Sequence, residues 1–491
     1  MRTIVAITAG MIMSTVLLTL GPQTRGHGSR GPFMGVFAAS PAVDKRSGVV
    51  FVGTQRIVNN RAIGGGVVRL FDGRTGTLLH SVRLRDHYPT ALAADAALGR
   101  LVLATAGCEP AGSGFGCASE PAALAVLDAR TGRVLHRLVV SPPAPPAPSS
   151  YTAGGLAVDD RTHRAFLARA GSVVSLSLTG RFVATVAPVP GYASAPIVDG
   201  SIGRVVVSSG AADPNTGRVS TGLSGLDAAT GRVLYRVTAH GSERDDTLFQ
   251  VLGPTVVDTR RHRALAIGVN HGMGPPSVAT IYTLDVRHGL SSGPTLLEPR
   301  YPYAVPGTPL ADERTGHTFI VLAIGVSTAS QDRVDVLNTL TGQVIGRVPV
   351  AAGPLYLGPP LLGNNPTTGH VFVVSPADVG RPGHLTMLDA QSGAVLRTET
   401  LALTPGVLSV APQSGRVFIF SQDDSAVQVL DSATGATVAR VSLGAPLTRG
   451  VSSLTATLDA HTGRLVVVHH LDTLLSVLDA RTGRVLRTTS L

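Results

Sequence analysis

The chain has 491 residues, 44% of them hydrophobic and only 15% charged, with 57 glycines and 33 prolines. This excludes a disordered chain and leaves ample apolar material for a core divided by many turns. The formal charge is +10, but there is one lysine, Lys45, and the arginines recur at the turn positions of each unit, interleaved with aspartates, instead of forming a stripe. That pattern argues against nucleic acid as a partner and leaves attraction to an anionic surface open.

Met1-Arg2-Thr3 is followed by an apolar stretch from Ile4 to Leu20. A short positive start and an apolar segment of this kind form an export signal. No Ala-x-Ala site follows, and the stretch is near the lower limit for a membrane span. Residues 1–30 are therefore a signal peptide or a signal anchor. Either way the rest lies outside the cytoplasm, secreted or tethered to a membrane by this segment alone. Cys108 and Cys117 are the only cysteines and flank a Gly/Ser-rich loop. In an oxidising compartment a disulfide between them is expected, whereas a redox pair would want Cys-x-x-Cys spacing. The Pro/Ala/Ser run Ser141 to Ser150 falls inside one repeating series and is a long loop, not a domain boundary.

The phrase Leu-Asp-Ala-Arg-Thr-Gly-Arg-Val-Leu occurs at 127–135 and again at 478–486, with looser copies at 70–76, 226–232, 388–393 and 430–435. A weaker copy lies at 337–342, and degenerate ones near Leu284 and Ser177. Within it, the aspartate and threonine side chains bond nearby backbone N–H groups, and the glycine supplies a positive φ. It is a turn-maker, not an active site. In 454–491 the apolar runs beginning at Leu454, Leu465, Leu474 and Val485 read as four short strands joined by turns, one antiparallel sheet. Nine first strands are counted near Asp44, Asp95, Asp159, Asp199, Asp258, Asp312, Asn365, Val410 and Asp459, about 40 to 64 residues apart. One such sheet cannot bury both faces alone, so the units must stack, and radial stacking makes a propeller. The chain is thus expected to be all-β, with 31–491 forming a single β-propeller of eight or nine four-stranded antiparallel blades. Met34 to Ala38 offers an extra closing strand.

The units resemble the YVTN-type repeat of YncE-like extracytoplasmic propellers. The best copy is Gly415-Arg416-Val417-Phe418-Ile419 leading to Val427-Gln428-Val429-Leu430-Asp431. They are also similar to the quinoprotein-dehydrogenase repeat, which shares the Leu-Asp-Ala-x-Thr-Gly turn. That family ends the turn with a tryptophan that docks neighbouring blades. Here the corresponding positions are His136, Tyr235, Arg397 and Arg487, and the chain has no tryptophan. The resemblance implies the fold and, more weakly, a quinone-dependent oxidation, for which the stacking indole is missing.

No Gly-x-Ser-x-Gly, His-Glu-x-x-His or phosphate-loop motif occurs. His163, His262, His317, His370 and His461 sit in the first turn of their units and read as interchangeable polar turn residues. His271, His469 and His470 follow second strands, and Asp423, Asp424 and Asp472 lie in equivalent loops. Such a set at a channel mouth is a candidate divalent-metal site, or else a group of solvated loop residues. Tyr88, Tyr151, Tyr192, Tyr301, Tyr303 and Tyr356 lie just before first strands, and Arg244, Arg300 and Arg449 share that class of loop. Aromatic rings with arginine suit a peptide, glycan or acidic ligand; the alternative is that each ring packs into its own blade junction. The expectation is an exported, non-catalytic propeller presenting a loop face to a protein, glycan or envelope component, with no predicted cofactor. A lactonase-like hydrolase or lyase with a channel-mouth metal is the alternative, and a quinone-dependent dehydrogenase comes third.

Overall fold

The computed structural model describes residues 34–58, 61–62, 65–84, 87–107, 123–140, 155–212, 219–239, 248–272, 278–298, 304–326, 329–351, 360–376, 382–421, 425–444, 454–469 and 474–491. Among them are nine antiparallel sheets, one per sequence unit, and no helix is long and apolar enough to cross a membrane. We number the blades 1 to 9 in chain order: 34–83, 87–139, 156–188, 192–239, 248–298, 304–349, 361–400, 405–442 and 454–490. In each, the first strand pairs with the second, the second with the third and the third with the fourth. The last blade follows its sequence pattern closely, with strands Leu454–Asp459, Arg464–His469, Leu474–Asp479 and Val485–Ser490.

Side-chain alternation explains why the second strands read as unbroken apolar runs. Successive residues of a strand point to opposite faces, and both faces of a blade are covered by neighbours. In blade 6 Ile320 and Leu322 face a cluster shared with blade 5, while Phe319 and Val321 face one shared with blade 7. The core is therefore a series of nine clusters, each spanning two adjacent blades. First strands are half-buried around the centre, and fourth strands carry the exposed rim, including Val139, Val186 and Ile345.

The ring closes between blades 9 and 1. Val466, Val468, Leu475 and Val477 pack against Val50, Val52 and Phe71. Arg487 Nη1 donates to Thr77 Oγ1 at 3.0 Å, and Thr489 Oγ1 donates to the Gly76 carbonyl at 3.2 Å. Met34–Ala38 does not cross this seam. It pairs with Thr54 to Val58 of blade 1, continuing toward the loop face the edge begun by Ala42–Asp44 on the same long strand. Every blade is thus made from one continuous stretch of chain, and the closure rests on side chains.

Candidate functional site

In a four-stranded up-and-down blade, the turns after the first and third strands share one end of the sheet. The loop after the second strand, and the connection to the next blade, share the other. The ring therefore has a turn face and a loop face.

The turn face is built from the same bond nine times. In every blade the backbone N–H just after the third strand donates to a carbonyl in the first turn, from Gly73 to Gly48 in blade 1 through Ala480 to Gly463 in blade 9, at 2.8–3.0 Å. The accepting residue has positive φ throughout. It is glycine in seven blades but His163 (φ 53°) and His262 (φ 54°) in blades 3 and 5. A left-handed histidine is strained, and its imidazole offsets that cost across the junction. His163 Nδ1 donates to Asp95 Oδ2 of blade 2 (2.9 Å), and His262 Nδ1 to Asp199 Oδ2 of blade 4 (2.8 Å), both onto fully buried carboxylates. His317 and His370 instead donate to Ala390 O and Ser432 O of the following blades. These histidines are inter-blade staples, more specific than the interchangeable turn residues their sequence position suggests.

The repeated phrase also does more than turn the chain. Its aspartate accepts from the next residues: Asp128 Oδ1 takes Arg130 N, Thr131 N and Thr131 Oγ1. The Thr131 hydroxyl, then its N–H, holds this carboxyl below the usual range, and Ser392 does the same for Asp389. The glycine seats the turn on the preceding blade, because a Cβ on Gly231 would lie 1.9 Å from Ser175 Oγ and one on Gly342 2.3 Å from Thr283 Oγ1. The positions of the missing tryptophan still dock forward, each by its own chemistry. His136 stacks on Phe182 of blade 3 with centroids 4.7 Å apart. Tyr235 lies over Gly289 and donates to Val286 O of blade 5 at 2.7 Å. Arg397 reaches Thr434 O of blade 8, and Arg487 reaches Thr77 of blade 1.

The loop face holds the candidate ligand and metal residues. Tyr88 is buried, 9% exposed, at the junction with blade 1, where Gly66 leaves room for it; burial raises its hydroxyl pKa. Tyr192 pairs with Gly210 and His271 with Phe249 at loop-face strand ends. His469 ends the second strand of blade 9 and is 1% exposed. Its Nε2 lies 3.4 Å from Ser476 Oγ, its Nδ1 has no partner among the described residues, and burial pushes the imidazole down to about 4. It is a neutral packing residue. Tyr151, Arg244, Arg300, Tyr301, Tyr303, Tyr356, Arg449, Asp423, Asp424, His470, Asp472, Cys108 and Cys117 lie outside the described residues. Among the described residues no three His, Cys, Asp or Glu side chains gather closely enough to hold a metal ion.

A family model described as outer membrane protein assembly factor BamB matches residues 330–491, from the third strand of blade 6 through blade 9. No curated protein sequence matches the chain. Among solved structures, one described as a eukaryotic initiation factor superposes with a TM-score of 0.53 at 12% identity, over 82% of this chain and 87% of that one. The dihydro-heme d1 dehydrogenase NirN follows at 0.49 and 15%, over 75% and 71%. BamB from Moraxella catarrhalis gives 0.37 and 13%, over 76% and 93%. At these identities the likeness is one of fold.

Proposed function

We propose that the protein is a non-catalytic, extracytoplasmic propeller whose loop face holds a protein partner of the cell envelope. The contrast between the faces carries this reading. On the turn face side chains are spent on joining blades, and one hydrogen bond recurs in all nine. On the loop face a backbone bond also recurs, from the N–H just after the fourth strand to a carbonyl near the start of the third in blades 1, 3, 6, 7 and 8 (Leu84 to Gly66, Val189 to Gly171, Val350 to Asp332, Leu401 to Gly383 and Leu443 to Ser425). The side chains and loop lengths there, however, differ from one unit to the next. The match of 330–491 to an outer membrane assembly factor supports a protein over a glycan, and the apolar segment from Ile4 to Leu20 supports a site outside the cytoplasm. The Arg and Tyr side chains that precede first strands suit a partner with both apolar and acidic groups.

A photo-crosslinking residue placed at Tyr192 or His271 on the loop face, and at Arg130 or Arg287 on the turn face, tests this in the producing cells. The expected result is adducts from the loop-face positions alone, containing an envelope assembly protein. Adducts from the turn face alone, equal yields from both, or glycan adducts only would overturn it.

A further inference from the structure

The first turns of successive blades are tied to one another around most of the turn face. Arg46 Nη1 donates to Ala97 O, Arg161 Nη1 to Gly200 O and Ser201 O, and Arg261 Nη1 to Glu313 O. His163 and His262 make the alternate ties. Arg314 lies against Gly369, and the Thr462 methyl against Gly48. Between blades 7 and 8, Asn365 Nδ2 donates to Ser432 Oγ. The junction of blades 8 and 9 differs. Blade 8 has Ala411 where seven blades have aspartate, and its first turn is the 3-10 segment Pro412–Ser414. Gln413 occupies the place held by Arg46, Arg161 and Arg314, two residues after the first strand. No side chain of 412–414 bonds to blade 9 among the described residues; only Arg416, further on, reaches Arg481 O.

An open cleft of about 560 Å³ remains at this junction, with Gln413 and Ser414 on one wall and Gly463, Arg464, Asp479 and Arg481 opposite. Its charge is positive: Arg464 Nη1 is paired with Asp479 Oδ2 at 2.7 Å, while Arg481 is exposed and adds a second cation. Arg464 Nε is buried without a partner among the described residues. Arg204 and Arg263 leave the same nitrogen open, so this belongs to the arginine slot, but here the slot borders the cleft. The molecule also shows what such a junction accepts. Between blades 5 and 6 the Glu313 carboxylate sits between first turns, taking Thr259 N at 2.9 Å and Thr259 Oγ1 at 2.5 Å, with Arg260 Nε at 4.0 Å.

We propose that the blade 8–blade 9 junction on the turn face is a binding cleft for a carboxylate, held by the Arg481 guanidinium with the Gln413 amide. Guanidinium and carboxylate match in geometry as well as charge. The site is on the opposite face from the proposed partner surface and does not depend on it.

Calorimetric titration of the full chain with glutarate and, separately, with a hexaglutamate peptide tests this, with hexalysine as control. Saturable binding of either acidic probe is expected, and which one binds separates a free dicarboxylate from an acidic chain segment. Arg481→Gln should weaken it at least about fivefold. Gln413→Arg should abolish it by filling the cleft with the spanning side chain used in blades 1, 3 and 6. That variant adds positive charge, so diffuse attraction would instead rise. A thermal midpoint unchanged for Arg481→Gln and not lowered for Gln413→Arg establishes that both variants fold. No binding of either acidic probe, or affinity that survives both substitutions, would overturn the proposal.

Discussion

The two faces of the ring are built from the same blades, yet they obey different rules. On the turn face one backbone bond recurs inside all nine blades while the side chains that join neighbours vary, and buried carboxylates such as Asp95 and Asp199 are consumed by neighbouring blades. On the loop face the strand ends carry Tyr88, Tyr192, His271 and His469 in no common pattern. In a repeat protein, what recurs is what every unit needs to stand beside its neighbour. What does not recur is free to meet something else.

Substitutions that remove a side chain joining blades on the turn face should therefore cost stability and leave loop-face crosslinking intact. The largest effect is expected at Tyr235, whose ring lies over Gly225 and Gly289 and whose hydroxyl crosses to Val286. Tyr235→Ala should lose about 3 to 4 kcal/mol in denaturant unfolding; a loss below 1 would mean the docking slot is idle. On the loop face, His469 stays neutral when folded, at about 4 against an ordinary 6.5. The unfolded chain takes up its proton first as pH falls. Its contribution is thus fully present above about 6.5 and lost between there and about 4, a fall of about 3 kcal/mol. His469→Leu should flatten that segment of the stability–pH curve. Next, Gly231→Ala should cost about 2 kcal/mol, because it meets Ser175 as well as an unfavourable φ. Gly180→Ala, with the same sign of φ and nothing within 4 Å, should cost about 1. Equal losses at the two glycines would remove the claim that the repeated turn seats on the preceding blade. Smallest of all, Gln413→Arg should raise stability by about 0.5 kcal/mol by tying the open junction.

The blades were legible because their signals are local. Strand alternation, the Asp-x-x-Thr-Gly turn and the period of about 50 residues lie within one unit, and in 454–491 they place all four strands to within a residue or so. The docking side chains were not, because each partner lies in another unit. Nothing near His136 announces Phe182, and nothing near His163 announces Asp95, 68 residues away. The absent tryptophan reads as a lost joint, whereas the joint persists at four junctions through histidine, tyrosine and, twice, arginine. A closing strand at Met34–Ala38 was also a fair inference from sequence, but its register places it within blade 1. For the loop face, tyrosine spacing indicates where rings enter the chain but not which way they point, and Tyr88 points inward.

The seam between blades 9 and 1 has a mechanical meaning. Its joint is the Val466–Val477 cluster against Val50, Val52 and Phe71, with two side-chain hydrogen bonds at the rim. A strand shared across a seam would have to be pulled in shear against a row of backbone bonds. Here tension between the first and last blades would peel apart apolar surfaces one contact after another. The ring would open there as a hinge while each blade kept its own sheet, and it could reclose without rethreading the chain.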